Sequence, residues 1–280
     1  MPDPRLLIDA PLAPGVRLDL SEDQAGHVTR VLRLGVGAGL RVFNARDGEW
    51  RAHIETVTKR GATAAVDSLL RPARACADLD LLFAPVKRAA TDLIVEKATE
   101  LGVRRMVPVI TARTIAETVR LDRLSLIARA AAEQTERFDA PEICALLSLE
   151  KILDGWEGAR TLIFADEAGE AAPIAEALNA VAPPPFTGEV AAQRPEGAMR
   201  PAPLSHPASQ ADSSPVNGGA EALALLIGPE GGFDPTERRM LRALPFVTPV
   251  SLGPRILRAE TAAIAGLAVI QALWGDWRAE

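Results

Sequence analysis

Two hydrophobic periods divide the chain. Up to residue 74, apolar and polar positions alternate over short spans. Leu40, Val42, Trp50, Ala52 and Ile54 flank the dipeptide Asp47-Gly48. Alternation is the strand period, and Asp-Gly supplies the positive φ angles of a tight turn, so this stretch predicts a β-hairpin. The segment ATAAVDSLL (62–70) adds another strand, and no long helical period occurs before residue 86. Residues 1–74 therefore read as a small all-β barrel.

After Asp78 the pattern changes. Five short apolar runs, DLLFAPV (80–86), RMVPVI (105–110), TLIFAD (161–166), LALLIG (223–228) and VTPVSL (247–252), predict strands buried on both faces. Helical periods lie between them. Residues 88–103 gather Ala90, Leu93, Ile94, Ala98 and Leu101 on one face and stop at Gly102, a suitable C-terminal cap. Residues 121–138 gather Leu124, Ile127, Ala128 and Ala131. Strands alternating with helices predict a mainly parallel α/β sheet over 78–280. Residues 183–218 interrupt it with eight prolines and a single aromatic, Phe186, and read as a flexible insertion.

Composition narrows the function classes. The 280 residues carry 31 Lys+Arg against 37 Asp+Glu, a net charge of −6, with 48% hydrophobic residues, enough for a sizeable core. No apolar run is long enough for a membrane helix, and the N-terminus lacks the apolar core of a secretory signal. Cys76 and Cys144 are isolated, which predicts no disulfide framework and a reducing cytoplasm. Three scattered histidines predict no metal centre. Scarce aromatics and an acidic balance argue against indiscriminate binding of single-stranded nucleic acid. Between His27 and Arg74, however, nine basic residues face four acidic ones. That stretch reads equally as an RNA-binding face or as a solvated charged surface.

Two segments near the C-terminus carry candidate chemistry. In LLIGPEGGFDPTE (225–237) a strand runs into Gly228-Pro229-Glu230-Gly231-Gly232, and a helix follows. Asp234 suits its N-cap, Pro235 its first position and Glu237 a capping box. Such a loop could cradle a ligand or merely turn the chain. No Gly-Lys-Ser/Thr follows it, and no GxGxxG follows a strand, so nucleotide hydrolases and dinucleotide enzymes are disfavoured. In VSLGPRILRAETAAIAGLAVIQALW (250–274) a strand ends at Leu252-Gly253-Pro254, ahead of Arg255, Arg258 and Glu260. The final helix is apolar nearly all round, which predicts burial in the core or in an oligomer interface. Two Gly-Pro loops after neighbouring strands would form one crevice at the strands' carboxyl ends. Arg258 and Glu260 would face it or pair with each other.

The segments Leu226-Ile-Gly-Pro-Glu-Gly-Gly232 and Leu252-Gly-Pro-Arg-Ile-Leu-Arg-Ala-Glu-Thr261 closely resemble the signature of the 16S rRNA uracil-N3 methyltransferases, the RsmE family of the SPOUT superfamily. Glu96-Lys97-Ala-Thr-Glu100-Leu-Gly102 and Glu133-Gln134 agree with it, and HVTRVLRLGVGAGLRVFNARDG (27–48) looks like the family's PUA-like barrel. The resemblance spans the chain except 183–218. It implies an N-terminal PUA-like β-barrel, a trefoil-knotted parallel α/β domain, a homodimer, and S-adenosylmethionine (SAM) bound in a bent form. The partner it implies is 16S rRNA of the small ribosomal subunit.

By that resemblance the cofactor is held by Ala165, Asp166 and Glu167, by Ile227, Gly228, Gly231 and Gly232, and by Leu252, Gly253, Ile256 and Leu257. Arg258 would orient a uridine, with Glu260 or Glu230 as the base that removes the N3 proton. Arg30 and Arg33 would contact RNA phosphates. Arg137 would join them, standing where the family places an arginine, although Thr135-Glu136 precedes it here in place of a small residue and glycine. A 2′-O-ribose methyltransferase of rRNA or tRNA is the near alternative, and a non-catalytic RNA-binding assembly factor the distant one.

Overall fold

The computed structural model describes residues 3–59, 61–116, 118–168, 170–181 and 222–277. The proline-rich insertion expected at 183–218 lies outside them. In the N-terminal part the chain forms β1 (Arg5–Leu7), β2 (Arg17–Asp19), α1 (Glu22–Gly26), a π-helical turn (His27–Val31), β3 (Gly39–Asn44), β4 (Gly48–Val57) and β5 (Ala62–Arg71). The sheet runs in the order β1-β3-β4-β5-β2, with β1 parallel to β3 and the other pairs antiparallel. The hairpin falls where alternation places it. Asn44 pairs with Gly48 and Val42 with Trp50, and Gly48 turns the chain at φ 83°. Any side chain on Gly48 would meet the Arg71 carbonyl at 2.3 Å. Leu40, Val42, Ala52 and Ile54 are buried with Leu6, Leu18, Val28 and Val66. The helical segment 22–31 interrupts the β pattern. It starts at a capping box in which Ser21 Oγ accepts from Gln24 N and the Gln24 side chain accepts from Ser21 N.

The second part contains β6 (Leu79–Phe83), α2 (Arg88–Glu100), β7 (Arg105–Ile110), α3 (Leu121–Gln134), β8 (Glu142–Ile143), β9 (Leu147–Ser148), α4 (Leu149–Asp154) and β10 (Thr161–Ala165). After these come β11 (Ala172–Pro173), α5 (Ile174–Val181), β12 (Leu223–Ile227), α6 (Pro235–Ala243), β13 (Val247–Ser251) and α7 (Ala259–Leu273). All five predicted strands form, and with the short edge strands β11 and β8 they pair in parallel in the order β11-β13-β10-β12-β6-β7-β8. The late strand β12 is inserted between β6 and β10, and β13 lies on the far side of β10.

Successive residues of each strand enter different cores, the reason these runs lack alternation. Leu81, Ile163 and Leu225 pack under α2, α3, α5 and α7, whereas Leu82, Leu162, Phe164, Ala224 and Leu226 pack beneath α4 and α6. Helix α7 approaches closely because Gly266 has no side chain; a Cβ there would stand 2.8 Å from the Leu225 side chain. Among the described residues no helix is long and apolar enough to cross a membrane.

A charged seam joins the two parts. Arg5, only 7% exposed, donates to Glu49 Oε1 at 2.8 Å and to the carbonyls of Ala132, Glu133 and Arg137 at the end of α3. Its guanidinium also lies over the Phe43 ring. Glu133 accepts from Leu7 N, and burial pushes its carboxyl group above the usual range. Arg41 and Arg71 bridge Glu49 to Glu136. Arg137, expected on the RNA face, is enclosed instead. It donates to the Thr99 and Val103 carbonyls and to Asp139, and its side chain is 8% exposed. That geometry corrects its expected place: the guanidinium ties the turn after α2 to the end of α3 and is not presented to a ligand.

Removing one partner of a buried ion pair costs about 3–5 kcal/mol, because the other charge is left without compensation. Glu49→Ala is therefore expected to lower the urea midpoint by a corresponding amount. An unchanged midpoint would show that the seam does not bear on stability.

Candidate active site

The loops after β10, β12 and β13 meet because those strands are adjacent and parallel. Together they enclose a cavity of about 180 Å³. Ala165, Asp166 and Glu167 come from the first loop, and Ile227, Gly228, Pro229, Glu230 and Gly232 from the second. Leu252, Gly253, Pro254, Arg255, Ile256 and Leu257 come from the third, and Ala259 and Ala262 of α7 close the inner wall. Every residue expected at the cofactor lines this cavity except Gly231. Its carbonyl instead accepts from Arg113 Nη1 at 2.8 Å.

The second loop is shaped by what surrounds it. Gly228 faces Phe233, and a Cβ there would stand 2.6 Å from the ring. Phe233 in turn packs edge-on against Phe164 at 4.9 Å between centroids. Gly232 adopts φ 66°, and a Cβ would fall 2.3 Å from Glu167 Oε1. Asp234 accepts from Thr236 N at 2.8 Å and Glu237 accepts from Asp234 N at 3.0 Å, the capping box that the sequence predicts for α6. Glu237 also accepts from Ala112 N at 2.6 Å, so the loop after β7 leans on the same turn. In the third loop Ser251 Oγ accepts from Gly253 N at 3.2 Å, and Gly253 adopts φ 111°.

The two acidic residues of the first loop are already engaged. Asp166, 3% exposed, meets Arg238 Nε at 2.9 Å and Arg242 Nη2 at 2.6 Å. Glu167 pairs with Arg238 and accepts from Phe233 N at 3.2 Å. These carboxylates hold α6 and the glycine loop in place, leaving main-chain edges and apolar side chains to face the cavity. Such a lining suits a flat heterocycle carrying polar edges.

The three expected catalytic residues separate. Glu230 lines the cavity and is exposed. Arg258 is the exposed N-cap of α7, and Glu260 lies half-buried in its first turn; neither lines the cavity. No ion pair joins Arg258 to Glu260 among the described residues, so the pairing alternative is not realised. Arg30 and Arg33 are exposed on the N-terminal part, outside the cavity, beside the exposed Val31 and Val36. Arg33 adopts φ 56°. Arg113 reaches the second loop without having been named from sequence, and Arg255, named there without a role, lines the cavity. A lone arginine in a loop carries no periodic signal, and its role follows only from where the loop lands.

Comparison with known proteins gives this geometry a family. The family profile described as RNA methyltransferase domain matches residues 73–202 and 180–271, and that described as RNA methyltransferase PUA domain matches residues 20–67. The Rickettsia conorii protein named ribosomal RNA small subunit methyltransferase E is 28% identical over 96% of this chain and 95% of its own. The Synechocystis protein of the same name is 30% identical over 91% of this chain and 72% of its own. Among solved structures, a Legionella pneumophila protein in complex with SAM is 28% identical, with a TM-score of 0.75 over 99% of this chain and 100% of its own. The Neisseria gonorrhoeae ribosomal RNA small subunit methyltransferase E, 23% identical with a TM-score of 0.76 over 99% of this chain and 100% of its own, shares the fold. A PUA-like domain followed by a parallel α/β methyltransferase domain, with three loops meeting at the strand ends, places this chain in the ribosomal RNA small subunit methyltransferase E family.

Proposed function

We propose that this protein transfers a methyl group from SAM to N3 of one uridine in 16S rRNA of the small ribosomal subunit. The observation that carries the reading is the convergence of three separate sequence segments on one cavity at the carboxyl ends of β10, β12 and β13. The lining fits SAM. Ile227, Leu252 and Leu257 offer apolar walls for adenine, the glycine-rich turns offer main-chain donors and acceptors, and Glu230 favours the cationic sulfonium side. No lysine and hydroxyl pair is present to take a phosphate chain, which SAM lacks.

When bound, SAM supplies an activated methyl group. The protein's own contribution is position and charge. N3 of uracil accepts the methyl only as its imide proton leaves, and Glu230 is assigned to take that proton, a reading supported by its exposure at the cavity. Arg258 precedes the cavity-lining Ala259 and is assigned to orient the uracil and to balance negative charge on O2 or O4. Glu260, one residue beyond Ala259, is the second candidate base. Arg30 and Arg33 hold the RNA through phosphates, supported by their exposure and by the PUA-domain match. A homodimer is part of the same reading, supported by the half-buried Ile264, Ala265 and Ala268 along α7.

Incubation with SAM and small ribosomal subunits lacking their natural methylation is expected to produce N3-methyluridine at one position, identified by nucleoside mass spectrometry. Methylribose in its place would sink the base assignment, and no product despite SAM binding would sink the substrate. Arg258→Ala is expected to lower turnover by about 100-fold, as for loss of one charge-stabilising donor, with SAM affinity unchanged by calorimetry; retained turnover would remove Arg258 from the reaction. Gly232→Ala forces a side chain onto Glu167 at a positive φ, and at least a tenfold loss of SAM affinity is expected. Equal affinity would show that the glycine loop does not shape the cofactor site.

A further inference from the structure

A second basin, of about 320 Å³, opens beside the cavity, and the methyl-transfer reading does not use it. It is bounded by Pro85 and Val86 after β6, by Arg88 and Asp92 at the start of α2, and by Arg120 and Arg123 at the start of α3. Its position is fixed by the same sheet. Ala84 N donates to the Ile227 carbonyl at 2.9 Å, so Pro85 in the basin follows directly on a strand bonded to a cavity-lining residue. Adjacent strands lie about 4.8 Å apart, so the two openings are neighbours on one sheet edge. The inner walls belong to a single apolar cluster, in which Val86 and Leu124 of the basin pack with Ala259 of the cavity. Arg113, in the loop that continues to the basin-lining Ala116, clasps the Gly231 carbonyl.

The basin has an apolar floor and a largely basic rim that favours an anion. Among the described residues, Arg88, Arg120 and Arg123 line it together with one carboxylate, that of Asp92. Asp92 engages Nη2 of Arg123 at 2.5 Å, and Nη1 of the same guanidinium is buried without a hydrogen-bond partner. Arg88 is exposed and makes no ion pair among the described residues. Arg120 is held by Asp122 at 2.5 Å, outside the basin. The helices α2, of 13 residues, and α3, of 14, both begin at the basin with no side-chain cap, so their first main-chain N–H groups add positive potential there. An oxygen-rich anion is attracted by the exposed Arg88 guanidinium and by the helix ends together.

We propose that the basin seats a phosphodiester of the RNA substrate, on the nucleotide next to the one presented to the cavity, with Arg88 and Arg123 as its ligands. The inference rests on the RNA-methyltransferase reading and extends it by naming how the strand is held at the catalytic domain. A polymer that delivers one base to the cavity must pass the neighbouring strand ends, and its repeating anion is the phosphate. Arg88 and Arg123 are then binding residues that set register, while the cavity residues do the chemistry.

The test is a salt titration of binding to a single-stranded oligouridylate, followed by fluorescence anisotropy, for wild type, Arg88→Ala and Arg88→Lys. One phosphate contact on a single strand contributes about 0.7 to the slope of log affinity against log salt. Arg88→Ala is expected to reduce the slope by that amount and to weaken binding several-fold at low salt. Arg88→Lys should restore the slope, and SAM affinity should stay at the wild-type value in both. A slope unchanged in Arg88→Ala overturns the proposal, and so does a loss of SAM affinity, which would assign the basin to the cofactor. Methylation of small subunits by wild type separates the two readings. If wild type methylates and Arg88→Ala leaves RNA binding intact, the basin alone is wrong. If the slope depends on Arg88 but wild type methylates nothing, the basin stands and the methyl-transfer reading falls. If wild type binds no RNA, both fall.

Discussion

The pairing of β12 between β6 and β10 is the constraint on which the site depends. A strand that arrives late in the chain occupies the middle of the sheet, and β13 then has only the far side of β10 to pair with. Parallel pairing sends all three carboxyl ends the same way. Loops that lie far apart along the sequence, residues 165–167, 227–232 and 252–257, thereby become the walls of one cavity. Each strand is buried on both faces, so a shift in register would move apolar residues between two differently shaped cores. The apolar packing that stabilises the domain is thus the same packing that positions the loops.

Charge then decides which loop groups are free for chemistry. Arginine and carboxylate pairs hold the scaffold at several points. Asp80 is fully buried and is met by Arg104, Arg105 and Arg160 at the opposite, amino-terminal side of the sheet. Asp166 and Glu167 are engaged by Arg238 and Arg242 beside the cavity, which locks α6 onto the loop after β10. Carboxylates spent in this way are unavailable as bases, and Glu230 stands apart because it lines the cavity from an exposed turn. Burial alone would single out Asp166, and only its partners show that it is a fastening.

The seam around Arg5 and Glu49 gives the two domains a defined relation. It joins the edge strand β1 to the end of α3, the helix whose other end opens on the arginine-lined basin. One helix therefore spans from the PUA-like domain to the carboxyl edge of the catalytic sheet. The exposed arginines of the small domain and the arginine-lined basin are thereby held in one frame, as the proposed binding of an RNA long enough to touch both requires.

Much of this was legible in the chain. Alternation in 40–57 and Gly48 determined the hairpin, because a short turn and its period are local; the turn itself spans the three residues 45–47, with Gly48 opening β4. The apolar runs determined the central strands, and Asp234, Pro235 and Glu237 determined the start of α6 within a few residues. The glycines of the two Gly-Pro loops marked the loops that line the cavity, since backbone shape is written in the residues that permit it. Tertiary structure alone decided the rest. Arg137 and Arg88 are the same residue type, each near a helix end, yet one is enclosed by carbonyls and the other opens onto a basin. Which arginine is a fastening and which is free depends on the strands and helices brought around it. Contacts of that kind join residues far apart in sequence, and no local period records them.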